Sequence, residues 1–175
     1  MSLRSLIRTI PDFPKKGIMF RDVTTLMKDA DGFRLVIEQM AERYQDKKIE
    51  LIAGIEARGF ILGAALAFHM GLGFIPIRKK GKLPGKTIRE DYELEYGTDS
   101  IEVHVDAIVK GQRLVLVDDL IATGGTAIGA SNLIKKSGGE LIEAIFLVNL
   151  PELKGGERLT KAGIKYHSMI DFEGH

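Results

Sequence analysis

The feature that most constrains the fold is a repeated change of hydrophobic period. Short apolar runs, "IELIAGI" (49–55), "FIPIRKK" (74–80), "RLVLVDD" (113–119) and "LIEAIFLVNL" (141–150), alternate with segments whose apolar residues recur at helical spacing. Phe33, Ile37, Met40 and Tyr44 mark one such helix, and a second is expected from about Thr126 to Ser137, ended by Gly138-Gly139. A short helix near Glu157–Ala162 and a strand "IKYHSMI" complete the chain. Strands that alternate with helices predict an α/β fold with a mostly parallel central sheet flanked by helices on both faces. One departure stands out. "YELEYG" (92–97) and "SIEVHVDAI" (100–108) alternate apolar and polar with period two, as a half-exposed antiparallel hairpin does.

No repeat or linker divides the 175 residues, so one domain is expected over 1–175. Within it, residues 1–30 should supply an N-terminal amphipathic helix, with Leu3, Leu6, Ile7 and Ile10 on one face, followed by a ligand-binding segment. The opening Met-Ser-Leu and closing Glu-Gly-His read as remnants of an expression tag, and His175 is given no role. The uncharged stretch 60–77 just reaches the length of a spanning helix. Gly71, Gly73 and Pro76 punctuate it, so a buried helix to about Met70 and then a buried strand are expected, not a membrane segment. A formal net charge of +1 argues against broad capture of nucleic acid. The absence of cysteine excludes disulfides, thiolate metal sites and cysteine nucleophiles, and suits the cytoplasm.

The stretch "RLVLVDDLIATGGTAIGA" (113–130) carries the chemistry. Its glycines let several backbone N–H groups curl towards one point, and the helix that follows adds the positive end of its dipole. That combination attracts phosphate. Thr123 and Thr126 can add hydroxyl donors. Asp118 and Asp119, expected on an exposed loop at the strand's end, are electrostatically wrong for a bare phosphate but right for hydroxyls attached to it. A ribose 5-phosphate satisfies both halves, its vicinal hydroxyls donating to the acids and its phosphate held by the loop.

The same stretch resembles the phosphoribosyl diphosphate binding motif of type I phosphoribosyltransferases. "FPKKGIMFRDVTTLM" (13–27), "GIEARGFILG" (54–63), "IRKKGKLPGKT" (77–87) and "YELEYG" are similar, in order, to the adenine-using branch of that family. The resemblance implies transfer of 5-phosphoribose from phosphoribosyl diphosphate to adenine, giving AMP and pyrophosphate in purine salvage, with Mg2+ carried by the diphosphate and no metal held by the protein alone. It implies that Ala122, Thr123, Gly124, Gly125 and Thr126 cradle the 5-phosphate and that Asp118 and Asp119 bind the ribose hydroxyls. Arg58 would face the pyrophosphate, Arg78, Lys79 and Lys82 would line the next loop for the same anion, and Tyr96 would join the diphosphate site. Glu95 would assist proton movement on the purine. Main-chain groups of Met19 and Arg21 would read the purine edge, with Phe20 near its face. Lys79 to about Glu90 is the expected lid, within a flexible lid and hairpin over 79–97, and a homodimer is implied. In "GIEARGF", Glu56 and Ala57 stand where relatives often carry a shorter acid and a small hydroxyl residue.

Rival readings are weaker. "GKLPGKT" has three residues between its glycines where a nucleotide-binding P-loop needs four. His69, His104 and His167 lack metal-ligand spacing. A related enzyme for xanthine or hypoxanthine, and a non-catalytic sensor of phosphoribosyl diphosphate, keep the scaffold and change its use.

Overall fold

The computed structural model describes residues 2–94 and 96–174. Seven strands form one sheet: β3 (Leu51–Ile55), β4 (Gly73–Lys79), β5 (Thr87–Leu94), β6 (Gly97–His104), β7 (Arg113–Ile121), β8 (Glu140–Asn149) and β9 (Tyr166–Asp171). Their order across the sheet is β5-β6-β4-β3-β7-β8-β9. The five from β4 to β9 run parallel, and the hairpin β5–β6 continues the sheet antiparallel from the end of β4, where Arg78 pairs with Glu102 and Lys79 with Ile101. The expected α/β architecture is therefore present.

Period-two alternation on the central strands builds two cores. Val115 and Val117 of β7, with Ile145 and Leu147 of β8, face α2 (Ala30–Tyr44), which follows the short α1 (Thr24–Lys28), and α3 (Arg58–Met70); Val36, Met40, Leu62 and Leu66 of α2 and α3 are fully buried. Leu114 and Leu116, with Ala144 and Phe146, face α4 (Gly125–Lys136) and the short α5 (Gly155–Lys161). Each such side chain contributes about 1.5–3 kcal/mol by leaving water, which is why the apolar runs were legible as strands. The uncharged stretch 60–77 resolves into α3 and β4, and among the described residues no helix is long and apolar enough to cross a membrane.

Two expectations need correction. The N-terminal helix is absent: Leu3–Leu6 form one 3-10 turn, and Arg8–Pro11 form a strand, β1, antiparallel to β2 (Met19–Asp22). Ile7, Thr9 and Ile10 are β-branched, Pro11 cannot continue a helix, and one so short is marginal alone. Ile7 still reaches the core, which is the part of the apolar pattern that survives. The loop within the expected lid is also shorter than 79–90. Lys79 closes β4 and Thr87 opens β5, whose eight residues all pair with β6, so only 80–86 remain as loop. The buried Glu102 fastens both ends of that loop, accepting from Gly81 N–H and Thr87 Oγ1 at 2.7 Å each.

Candidate active site

The site forms where β7 ends. Asp118 and Asp119 belong to the strand, not to an exposed loop, and Asp119 is only 7% exposed. The strand continues two residues past the pair to Ile121, whose side chain is buried, and this carries the acids into the protein. Asp119 is ion-paired with Arg58, the first residue of α3. Asp118 Oδ1 accepts from the Asp119 N–H at 2.8 Å. Burial pushes the Asp118 carboxyl well above the usual carboxylate range, and the neighbouring Asp119 charge adds to the rise.

Beyond Ile121 the chain turns through Ala122–Gly124 into α4. Gly124 adopts φ +87°, a left-handed conformation open to glycine at low cost. The turn encloses a cavity of about 120 Å3 whose wall includes Asp118 together with Ala122, Thr123, Gly124, Gly125 and Thr126. Five residues read from the sequence as a phosphate cradle and one acid thus share one small cavity at a helix N-terminus. A larger hollow of about 400 Å3 between α2 and β8–β9, lined by Gln39, Arg43, His167 and Met169 among others, shares no residue with it.

Arg58 connects this cavity to the N-terminal ribbon. Its guanidinium carbon lies 6.0 Å from the centre of the Phe20 ring, which stacks edge-on with Phe13 at 5.2 Å. Met19 is 41% exposed. The Arg21 side chain is engaged elsewhere, donating to Thr9 Oγ1 at 2.6 Å and to the Glu173 carbonyl at 2.8 Å. Asp22 closes the strand, held down to about 2 by donation from Thr24 and, against the opposing effect of burial, from Arg8.

The expected basic cluster divides. Arg78 and Lys79 lie on β4 and not in the loop, and successive strand residues face opposite ways. Arg78 forms a fork on Glu56 at 3.2 and 3.1 Å, and Lys82, from the loop, reaches the same carboxylate at 3.0 Å. Lys79 turns away to Asp99 and sits 5.8 Å from the centre of the Tyr92 ring. Donation from Arg78 and then Lys82 outweighs burial and holds Glu56 down to about 2. Tyr96 is exposed in the hairpin turn, and Glu95 lies outside the described residues.

Three participants escaped the sequence reading. Glu56, noted there only as a departure from relatives, is the carboxylate on which Arg78 and Lys82 converge. Phe13 packs on Phe20, although within "FPKKGIMFRDVTTLM" it was given no role of its own. Gly59 lets the first turn of α3 press against β7: a Cβ there would stand 2.9 Å from both Asp118 Oδ1 and the Val117 carbonyl oxygen. The close backbone approach that this requires leaves no trace in the sequence beyond the "RG" after Ala57. Among the described residues no three His, Cys, Asp or Glu side chains converge as a metal cage.

Comparison with known proteins gives the same result from three directions. The model of the phosphoribosyl transferase domain matches residues 22–168. An adenine phosphoribosyltransferase of Chlorobium luteolum is 56% identical over 176 residues, covering 99% of each chain. The crystal structure of the adenine phosphoribosyltransferase of Thermoanaerobacter pseudethanolicus superposes with a TM-score of 0.92 at 50% identity, covering 97% of this chain and 98% of that one. The Saccharomyces cerevisiae enzyme, solved with adenine and an imino-altritol bisphosphate, gives a TM-score of 0.89 at 36% identity over 96% of each chain. A family model over residues 22–168 and full-length similarity of this order place the chain in the adenine phosphoribosyltransferase branch of the phosphoribosyl transferase domain family.

Proposed function

We propose that the chain transfers 5-phosphoribose from phosphoribosyl diphosphate to adenine, releasing pyrophosphate and AMP as a purine salvage step. The observation that carries this reading is the 120 Å3 cavity lined by Asp118 and Ala122–Thr126. Backbone N–H groups and the threonine hydroxyls hold the 5-phosphate, while Asp118 and Asp119 accept from the ribose hydroxyls. Adenine N9 attacks the anomeric carbon, the carbon–oxygen bond to the diphosphate breaks with its electron pair, and the purine loses a ring proton, which Glu95 accepts.

Positive charge grows on the sugar and negative charge on the leaving group. Arg58, Arg78 and Lys82 supply cations for the latter, and Tyr96 a donor, with Arg78 and Lys82 exchanging Glu56 for the diphosphate, while Lys79 stays on Asp99. Further neutralisation of that charge would be supplied by Mg2+ carried on the diphosphate. The loop 80–86 and the hairpin exclude the water that would compete with adenine.

The main chain at Met19 and Arg21 reads the purine, with Phe20 against its face. A carbonyl accepts from the adenine amino group and an N–H donates to N1. Hypoxanthine reverses both polarities. The exposed face of α3, with Ile61 and Phe68 (89% exposed), suits self-association into a homodimer. The chain acts as one domain in the cytoplasm, where its phosphorylated substrates are held.

The test is stoichiometry with a panel of bases. Supplied with phosphoribosyl diphosphate, Mg2+ and adenine, the protein should form AMP and pyrophosphate one to one. Binding without turnover would identify a sensor, and preference for xanthine or hypoxanthine would move the base assignment.

A further inference from the structure

The loop that frames the cavity is supported from behind by the chain that leaves β8. Leu150 N–H donates to the Ile121 carbonyl at 3.1 Å, so this segment starts beside the end of β7. Gly155, at the start of α5, lies in backbone contact with the loop. A Cβ on Gly155 would come within 2.8 Å of Ile121 Cγ1 and closer still to the Ala122 carbonyl oxygen, and one on Gly124 would stand 3.0 Å from the Gly155 carbonyl oxygen. Leu159, fully buried, anchors α5 in the core. One turn into α5, Arg158 Nη1 donates to the Thr123 carbonyl oxygen at 2.7 Å. Arg158 lines the neighbouring hollow with Asp91, Glu93 and Asn132, and is not part of the cavity wall.

We propose that Arg158 is a positioning residue for phosphate binding: by holding the Thr123 carbonyl outward it aims the Gly124 N–H into the cavity. The inference rests on the reading of that cavity as the 5-phosphate site. In a planar trans peptide the carbonyl and the next N–H point in opposite directions, so fixing one fixes the other. Gly124 tolerates either orientation of the preceding peptide. The loop alone therefore does not select the orientation that presents a donor. A guanidinium on the carbonyl selects it, and its charge also strengthens the positive end of the peptide dipole that meets the anion. Because Arg158 is exposed, its bond adds little to overall stability.

The experiment compares wild type with Arg158→Met and Arg158→Lys, using ribose 5-phosphate as the probe. Loss of this one donor should raise the ribose 5-phosphate Kd and the phosphoribosyl diphosphate KM by about tenfold in the methionine variant. The adenine KM and the thermal midpoint should not move, and lysine should restore most of the affinity. In NMR spectra, ribose 5-phosphate should shift the Gly124 amide proton downfield in wild type and the lysine variant but not in the methionine variant. Wild-type ribose 5-phosphate affinity in Arg158→Met, or equal increases in KM for both substrates, would overturn the inference alone. Failure of wild type to bind ribose 5-phosphate would overturn the reading of the cavity and the inference with it.

Discussion

Replacing Gly59 with alanine should separate stability from catalysis, because the same methyl group acts on both with different weight. Gly59 is the second residue of α3 and is buried against the end of β7. Its Cβ would stand 2.9 Å from the Val117 carbonyl oxygen and 3.2 Å from Asp118 Cα, where ordinary contact begins at 3.4 Å, a deficit of 3.4 − 2.9 = 0.5 Å. Both neighbours are backbone atoms of a central strand, so no side-chain rotation relieves the contact. Overpacking of this kind costs about 1–3 kcal/mol, and alanine in place of a helical glycine returns up to about 1 kcal/mol. The net loss of stability is then about 0–3 kcal/mol, a small to moderate shift in the unfolding midpoint. The site is less tolerant. A displacement of about half an ångström is at the limit for a productive constellation, and about 1 Å costs on the order of 100-fold. We expect kcat/KM for phosphoribosyl diphosphate to fall at least about tenfold. Steady-state AMP formation and urea unfolding, measured on the same preparation, test this. Wild-type kcat/KM, or a loss of activity that only tracks the unfolded fraction, would refute the close-approach argument.

Asp119→Asn should weaken phosphoribosyl diphosphate binding by about 10- to 100-fold, the loss of one charge-assisted bond, seen in its KM. The thermal midpoint should fall only slightly, since the Arg58 partner is 46% exposed and water can replace the ion pair; unchanged affinity would remove Asp119 from the ribose site. Glu56 and Asp22 have folded-state values of about 2 against ordinary values of 4.5 and 3.8. Depressed carboxyl values stabilise above the unfolded value, so this contribution should be complete above about pH 5 and lost as pH falls from about 4.5 to about 2. The urea midpoint against pH measures it, and Glu56→Gln should flatten the profile. Amides of 80–86 should exchange quickly without ligand and slow when diphosphate and purine are both bound, as the loop is fastened at Glu102 but largely exposed between; equal exchange in both states would mean that it does not close.

The central fold was legible because short apolar runs such as "RLVLVDD" and "LIEAIFLVNL" are strands buried on both faces, where hydrophobicity dominates every other preference. The cradle was legible for a different reason: Thr123–Thr126 are local, and a turn with two glycines between threonines has few uses. What the sequence could not show is pairing between distant residues. Arg8–Pro11 became a strand because β2 lies beside it, and nothing in "RTIP" announces that partner. Thr87–Glu90 form strand and not loop because β6 offered them hydrogen bonds. Arg78 and Lys82 converge on Glu56 across 22 and 26 residues of chain, and Asp119 meets Arg58 across 61, so the electrostatic connections within the site exist only in three dimensions.

The ratio of specificity constants for adenine and hypoxanthine tests the account most directly. Backbone readers at Met19 and Arg21 would leave two buried polar groups unpaired against hypoxanthine, which predicts discrimination on the order of 10⁴-fold or more. Met19→Leu should keep that preference, because the discriminating atoms belong to the main chain. A wild-type ratio near one would contradict the adenine assignment.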